Sequence, residues 1–167
     1  MSKLRRYYSD GYFYFVTVVT NGRKKLLIKH YKMLKDSIDK CEIEMDFIII
    51  AFIAMPDHLH MIIDPKENNL SSIMQKIKLS FSKKYRFEKG KTTGNVWQSR
   101  FWDHLIRNQE DLNRHIDYIH YNPVKHGFTK SPFDWPESSI HEYYKNGHYD
   151  REWGSIGPLK LDGDFGE

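Results

Sequence analysis

The chain has 167 residues, enough for one well-filled core, and 40% of them are hydrophobic, which excludes a disordered chain. Its single cysteine, Cys41, excludes an internal disulfide and a cysteine-rich metal centre. The net charge of +4 is unevenly spread: residues 131–167 hold three Lys/Arg against eight Asp/Glu, leaving 23 against 14 in the first 130. A basic body with an acidic end points to a polyanionic partner and to an internal competitor for it.

The opening Met1-Ser2-Lys3-Leu4-Arg5-Arg6 is charged, with no apolar segment behind it, so no signal peptide is expected. Tyr12 to Thr20 is aromatic and β-branched and reads as a buried strand, ended by the turn signal Asn21-Gly22. Tyr31, Leu34, Ile38 and Cys41 recur at helical spacing. Asp46 to Met55 is a near-continuous apolar strand. Its longest apolar run, Phe47 to Met55, is too short to cross a bilayer. Together these features lead us to expect a soluble cytoplasmic protein.

Pro56-Asp57 interrupts that strand, and His58 to Asp64 alternates, as the return strand of a hairpin would. Leu70, Ile73, Met74, Ile77, Phe81 and Tyr85 form one apolar stripe, predicting a helix over residues 71–89. Ser72 with Gln75 resembles a capping box, and Gly90 is a plausible stop. Trp102 to Ile106 reads as a short strand. Asn108 can cap a following helix with acids in its first turn, and Pro123 predicts that this helix ends near Tyr121 or Asn122. A short helix near 138–145 completes the order. Strand, helix, strand, strand, helix, strand is the split βαβ pattern of a ferredoxin-like α+β sheet with helices on one face; here an extra C-terminal helix follows.

His58 and His60 alternate on a strand, so their imidazoles share a face and could grip one divalent cation. A solvated strand face is the commoner explanation of such a pair. Zinc is a poor candidate, because no further Cys/His spacing completes a tetrahedral set. On the helix after Asn108, residues Leu112, Ile116 and Ile119 face the core, while Asp111, Tyr118 and Asn122 form a polar strip beside them. If Tyr118 points at a metal site, Asn122 can offer it an amide oxygen. An amphipathic packing tyrosine and a helix-ending asparagine explain the same residues equally well.

Three blocks carry a family resemblance over residues 4 to 140. Met55-Pro56-Asp57-His58-Leu59-His60 resembles the HUH motif of single-strand transposases. Val96 to Arg107 (VWQSRFWDHLIR) and Asp117 to Gly127 (DYIHYNPVKHG) are similar to the REP-associated tyrosine transposases, relatives of the IS200-type enzymes, as is the opening Arg5-Arg6-Tyr7-Tyr8. The resemblance implies the ferredoxin-like fold, Mg²⁺ or Mn²⁺ on His58 and His60, and Tyr118 as the nucleophile. Asn122 stands where relatives place an amide ligand, although those relatives use Gln. Tyr121 competes for the nucleophile's role but projects away from the Asn122 strip. The implied activity is cleavage and rejoining of single-stranded DNA at hairpins through a 5′-phosphotyrosine, by a nucleoid-associated protein that is more often monomer than dimer. Arg5, Arg6, Lys76, Lys83, Lys84, Trp97 and Arg100 are the DNA-binding candidates. Residues 1–130 would form the catalytic domain, and 131–167 an acidic extension covering the DNA site. A hairpin-DNA binder that does not cut and a metal-dependent phosphoesterase are the competing functions.

Overall fold

The computed structural model describes residues 11–167. The strands are β1 (Tyr14–Val19), β2 (Ile48–Ala54), β3 (His58–Asp64) and β4 (Trp102–Leu105). The helices are α1 (Tyr31–Met45), α2 (Leu70–Glu88), α3 (Gln109–Lys125) and α4 (Ile140–Lys145). The four strands form one sheet in the order β2-β3-β1-β4, with every pairing antiparallel. This is the ferredoxin-like arrangement.

Side-chain alternation divides the interior into two cores. On one face Val16, Val18, Leu59, Met61 and Ile63 pack under α1 and α2, against Leu34, Ile38, Ile73, Ile77 and Phe81. On the other face Phe15, Ala51, Ile53 and Ile62 meet Leu112, Ile116 and Ile119 of α3, with Ile140, Tyr143 and Tyr149 beyond them. The expected helices on one face are therefore α1 and α2, and the extra helix α3 roofs the opposite face. Both faces need apolar cover, which explains why β2 lacks the polar alternation of a half-solvated strand.

Two local expectations differ from the structure. The cap of α2 is Asn69, whose side chain accepts from the Ser72 amide at 3.3 Å, so Ser72 lies inside the helix. Helix α3 also continues through Pro123 to Lys125. Proline lacks an N–H, but in the last turn one missing bond is tolerated, and the Pro123 carbonyl still accepts from Phe128 at 2.9 Å.

Residues 131–149 belong to the second core. The Trp135 indole donates to the Ala54 carbonyl at 2.9 Å, the Ala54 amide donates to the Glu137 carbonyl at 2.9 Å, and Ile140 and Tyr149 are buried. His120 is tied in with them: its ring nitrogens lie 2.8 Å from both the Tyr149 and Ser139 hydroxyls. Among the described residues no helix is long and apolar enough to cross a membrane.

Candidate active site

The site begins with a row of cross-strand neighbours. Ile53 pairs with His60, His60 with Thr17, and Thr17 with Trp102, all on the face covered by α3. His58 lies two residues along β3 on the same face. The two imidazoles are 4.9 Å apart between centroids, and both are buried, His60 completely.

Each imidazole is oriented from behind. His58 Nδ1 is 2.7 Å from an Asp57 carboxylate oxygen. His60 Nδ1 is 2.8 Å from the Thr17 hydroxyl, which in turn lies 2.6 Å from the Phe165 carbonyl oxygen. A carbonyl can only accept, so the Thr17 hydrogen goes to Phe165 and His60 Nδ1 carries the proton that Thr17 accepts. Burial drives the His60 pKa down to about 4, so the ring is neutral and its Nε2 presents a lone pair.

Both imidazoles lie beneath the roof helix. Tyr118 lies over His60 with 5.4 Å between ring centroids, and Asn122 follows one turn later, fully buried. Among the described residues, His58 Nε2, 3.4 Å from a Glu167 carboxylate oxygen, and Asn122 Oδ1 are buried atoms with no hydrogen-bond partner. His60 Nε2 lies 2.8 Å from a Glu167 carboxylate oxygen, so two acceptors face each other. Buried acceptors left unpaired or opposed are costly, and a cation among them removes the cost. Among the described residues, His58, His60 and Glu167 offer ligand atoms all within 4.8 Å of one another. The donor set, two imidazoles with oxygen ligands, fits a divalent cation.

The end of the chain fills the space below α3. Phe165 stacks on Tyr118 with centroids 3.6 Å apart and planes within 7°. The Glu167 carboxylate accepts from Asn122 at 2.9 Å and from Lys125 at 2.6 Å, and lies 3.1 Å from His126 Nε2. Burial pushes its pKa up, but the His126 ring nitrogen beside it outweighs this and holds it ionised. Lys125 also donates to the Tyr118 hydroxyl at 2.8 Å. Burial raises the Tyr118 pKa far above the ordinary tyrosine range, and the neighbouring Glu167 carboxylate adds to the rise.

His58, His60, Tyr118 and Asn122, singled out in the sequence, therefore meet within one chain. Tyr118 is buried, with Phe165 stacked over its ring. Tyr121 points elsewhere: its hydroxyl accepts from the Leu159 amide at 3.3 Å and its ring meets Trp153.

The DNA-binding candidates are scattered. Arg5 and Arg6 lie outside the described residues. Lys76, Lys83 and Lys84 are on α2, across the sheet from the imidazoles, and Lys76 pairs with Glu44 at 2.6 Å. Trp97 is no surface platform: it is 6% exposed and packs in the α1/α2 core against Phe81. Arg100 is exposed in the loop before β4.

Sequence reading missed Thr17, Asp57, Lys125, His126, Phe165 and Glu167. Lys125 was recoverable, since seven residues bring a helix back to within about 20° of Tyr118. Nothing local marks Glu167.

Three comparisons with known proteins bear on this geometry. Residues 8–122 match the family model described as transposase IS200 like. This chain belongs to the IS200-like transposase family. The transposase is 39% identical over 156 residues to the REP-associated tyrosine transposase of Escherichia coli strain K12, covering 92% of this chain and 91% of that one. A Haemophilus influenzae relative named for the same group is 37% identical over 177 residues, covering 99% and 100%. A solved structure of a REP-associated tyrosine transposase bound to a REP hairpin superposes with TM-score 0.77 at 38% identity, over 98% of each chain. The transposase is thus a DNA-processing enzyme of the REP-associated group.

A second cluster stands beside the site. The buried Asp111 carboxylate accepts from Arg114 at 2.6 Å and from the Arg107 amide at 3.0 Å, and lies 2.8 Å from His104 Nε2. Burial raises its pKa, but these hydrogen bonds prevail and hold it well below the usual carboxylate range. A depressed folded pKa gives stability that is present above the unfolded value near 3.8 and lost as pH falls below it. Asp111→Asn should therefore cost about 2–3 kcal/mol at neutral pH. It should also flatten the acid loss of stability below about pH 4, read from denaturant midpoints between pH 7 and pH 2. Equal losses in both proteins would refute the assignment.

Proposed function

We propose that the protein is a metal-dependent single-stranded DNA strand transferase, acting at hairpin DNA through a 5′-phosphotyrosine on Tyr118. The observation that carries this reading is convergence: the Tyr118 hydroxyl, the Nε2 atoms of two imidazoles and an Asn122 amide oxygen without a partner among the described residues share one buried space. The solved relative bound to a REP hairpin supports hairpin DNA as the substrate class.

His58, His60 and Asn122 would hold the cation, with Thr17 and Asp57 fixing the imidazoles. Mg²⁺ or Mn²⁺ bound there supplies Lewis-acid polarisation and charge neutralisation at the scissile phosphate. Lys125, 2.8 Å from the phenol oxygen, stabilises the phenolate as the proton leaves. The phenolate bonds to phosphorus while the P–O3′ bond breaks, and the departing 3′ oxygen takes up a proton. A 3′-OH can later attack the phosphotyrosine in reverse, so cleavage and rejoining need no ATP. Because the nucleophile and the imidazole pair meet within one chain, the geometry supports a monomer acting alone.

Incubating the protein with Mn²⁺ and a REP-type hairpin oligonucleotide carrying single-stranded flanks tests the reading. A denaturant-resistant adduct on the peptide containing Tyr118 is the expected result. Tight binding with no adduct would instead identify a non-cleaving hairpin binder.

The acidic end acts, on this reading, as a cover over the DNA site. Residues 131–149 are part of the packed core, so the removable portion is the final segment that fills the site. Deleting residues 165–167 should raise affinity for flanked hairpin DNA roughly tenfold or more, because a tethered competitor acts at about millimolar effective concentration. Unchanged affinity in a fluorescence-anisotropy titration would dismiss the cover.

A further inference from the structure

We propose that the crevice filled by the Phe165 ring is a nucleobase slot. It takes the base next to the phosphodiester that reaches His58, His60 and Tyr118, stacked on the Tyr118 ring. The inference rests on the strand-transfer reading and adds to it a base-binding site.

The first observation is the stack itself. Phe165 and Tyr118 lie 3.6 Å apart with planes within 7°. Two phenyl-type rings prefer an offset or edge-on arrangement to a close sandwich, so this spacing is not what the pair would choose alone. It is close to the roughly 3.4 Å step between stacked bases. A base offers a flat π-face, and stacking of bases on an aromatic side chain tolerates any base identity.

The second observation is the wall. Phe15 meets the Phe165 ring edge-on at 5.9 Å and His115 does so at 5.2 Å. Both define a flat slot one ring thick. Neither presents a pattern of donors that would read one base, so the slot selects planarity.

The third observation is order along the tail. Ring, backbone and anion follow one another as base, sugar and phosphate do. Two residues after the stacked ring, the Glu167 carboxylate sits against His60, Asn122, Lys125 and His126, where an anionic phosphate would be held. Gly166 joins them at φ 71°, and a Cβ there would lie 2.5 Å from Trp102 Cγ. The tail tip thus fits the crevice only with glycine in the middle.

Gly166→Ala opens the slot without altering any group that lines it, since the methyl meets Trp102 and strains the backbone. The probes are 2′-deoxyadenosine 5′-monophosphate and 2-deoxyribose 5-phosphate, which share a phosphate and differ by the base. In Gly166→Ala the nucleotide should bind about 5- to 150-fold tighter than the sugar phosphate by calorimetry, the range for one base on an aromatic ring. In the unaltered protein both should bind at least about fivefold more weakly, because the tail competes at millimolar effective concentration. A chain ending at Asp164 should reproduce the preference, which guards against misfolding of the alanine variant. Equal affinity for the two probes in both open variants overturns the slot and leaves Phe165 a plain apolar plug. A preference that survives Tyr118→Ala overturns it as well. Tyr118→Phe keeps the ring face but not the nucleophile, so it should keep the base preference and lose the covalent adduct. Absence of any adduct with the base preference intact would sink strand transfer alone.

Discussion

Tyr118→Phe should abolish the covalent DNA adduct and reduce strand cleavage by about 10⁴-fold or more, the scale expected when a nucleophile is removed. The fold should survive. The phenyl ring keeps its contacts with Phe15 and Phe165, and only the hydroxyl, bonded to Lys125, is lost. Lys125 retains its ion pair with Glu167, so the stability change should stay within about 1 kcal/mol. Hairpin binding should persist, because positioning contacts do not depend on the hydroxyl. Tyr121→Phe is the control, as the Tyr121 hydroxyl meets the Leu159 amide and not the imidazoles. Adduct formation that survives in the Tyr118 variant and vanishes in the Tyr121 variant would transfer the nucleophile's role.

His60→Gln should lower Mn²⁺ affinity by more than about a hundredfold, measured by calorimetry or by the free-ion EPR signal. Loss of a partner behind a ligand typically costs 10- to 100-fold, and loss of the ligand itself exceeds that. Those partners supply an internal scale: Thr17→Val and Asp57→Ala, which remove the orienting contacts on His60 and His58, should each fall within that range. Because His60 is completely buried, thermal unfolding of the ion-free proteins must accompany the titration, so that a folding defect is not mistaken for lost ligation. Unchanged Mn²⁺ affinity in a folded His60→Gln protein would remove the cation from this site. The strand-transfer chemistry would then have to rest on Lys125 and His126 alone.

Much of the architecture was legible because it is periodic over short distances. The apolar stripe from Leu70 to Tyr85 appears as α2, and the alternation from His58 to Asp64 appears as β3 with both imidazoles on one face. The misread boundaries had local competitors. Asn69 outcompetes Ser72 as a cap, and tertiary cover over α3 lets its last turn pass through Pro123. Trp97 shows the limit of composition: an aromatic beside basic residues looks like a stacking platform, yet it fills a gap against Phe81 in the core.

By itself, then, the sequence determined the order of elements, the shared face of His58 and His60, and the placement of Tyr118 and Asn122 one turn apart. All of these follow from strand and helix repeats that operate within a few residues. Only the tertiary structure decided which layer covers the imidazoles and what stands against them. Glu167 reaches His60 across 107 positions of chain, and Phe165 reaches Thr17 across 148. No periodicity spans such distances; packing two cores on opposite faces of one sheet brings those atoms together.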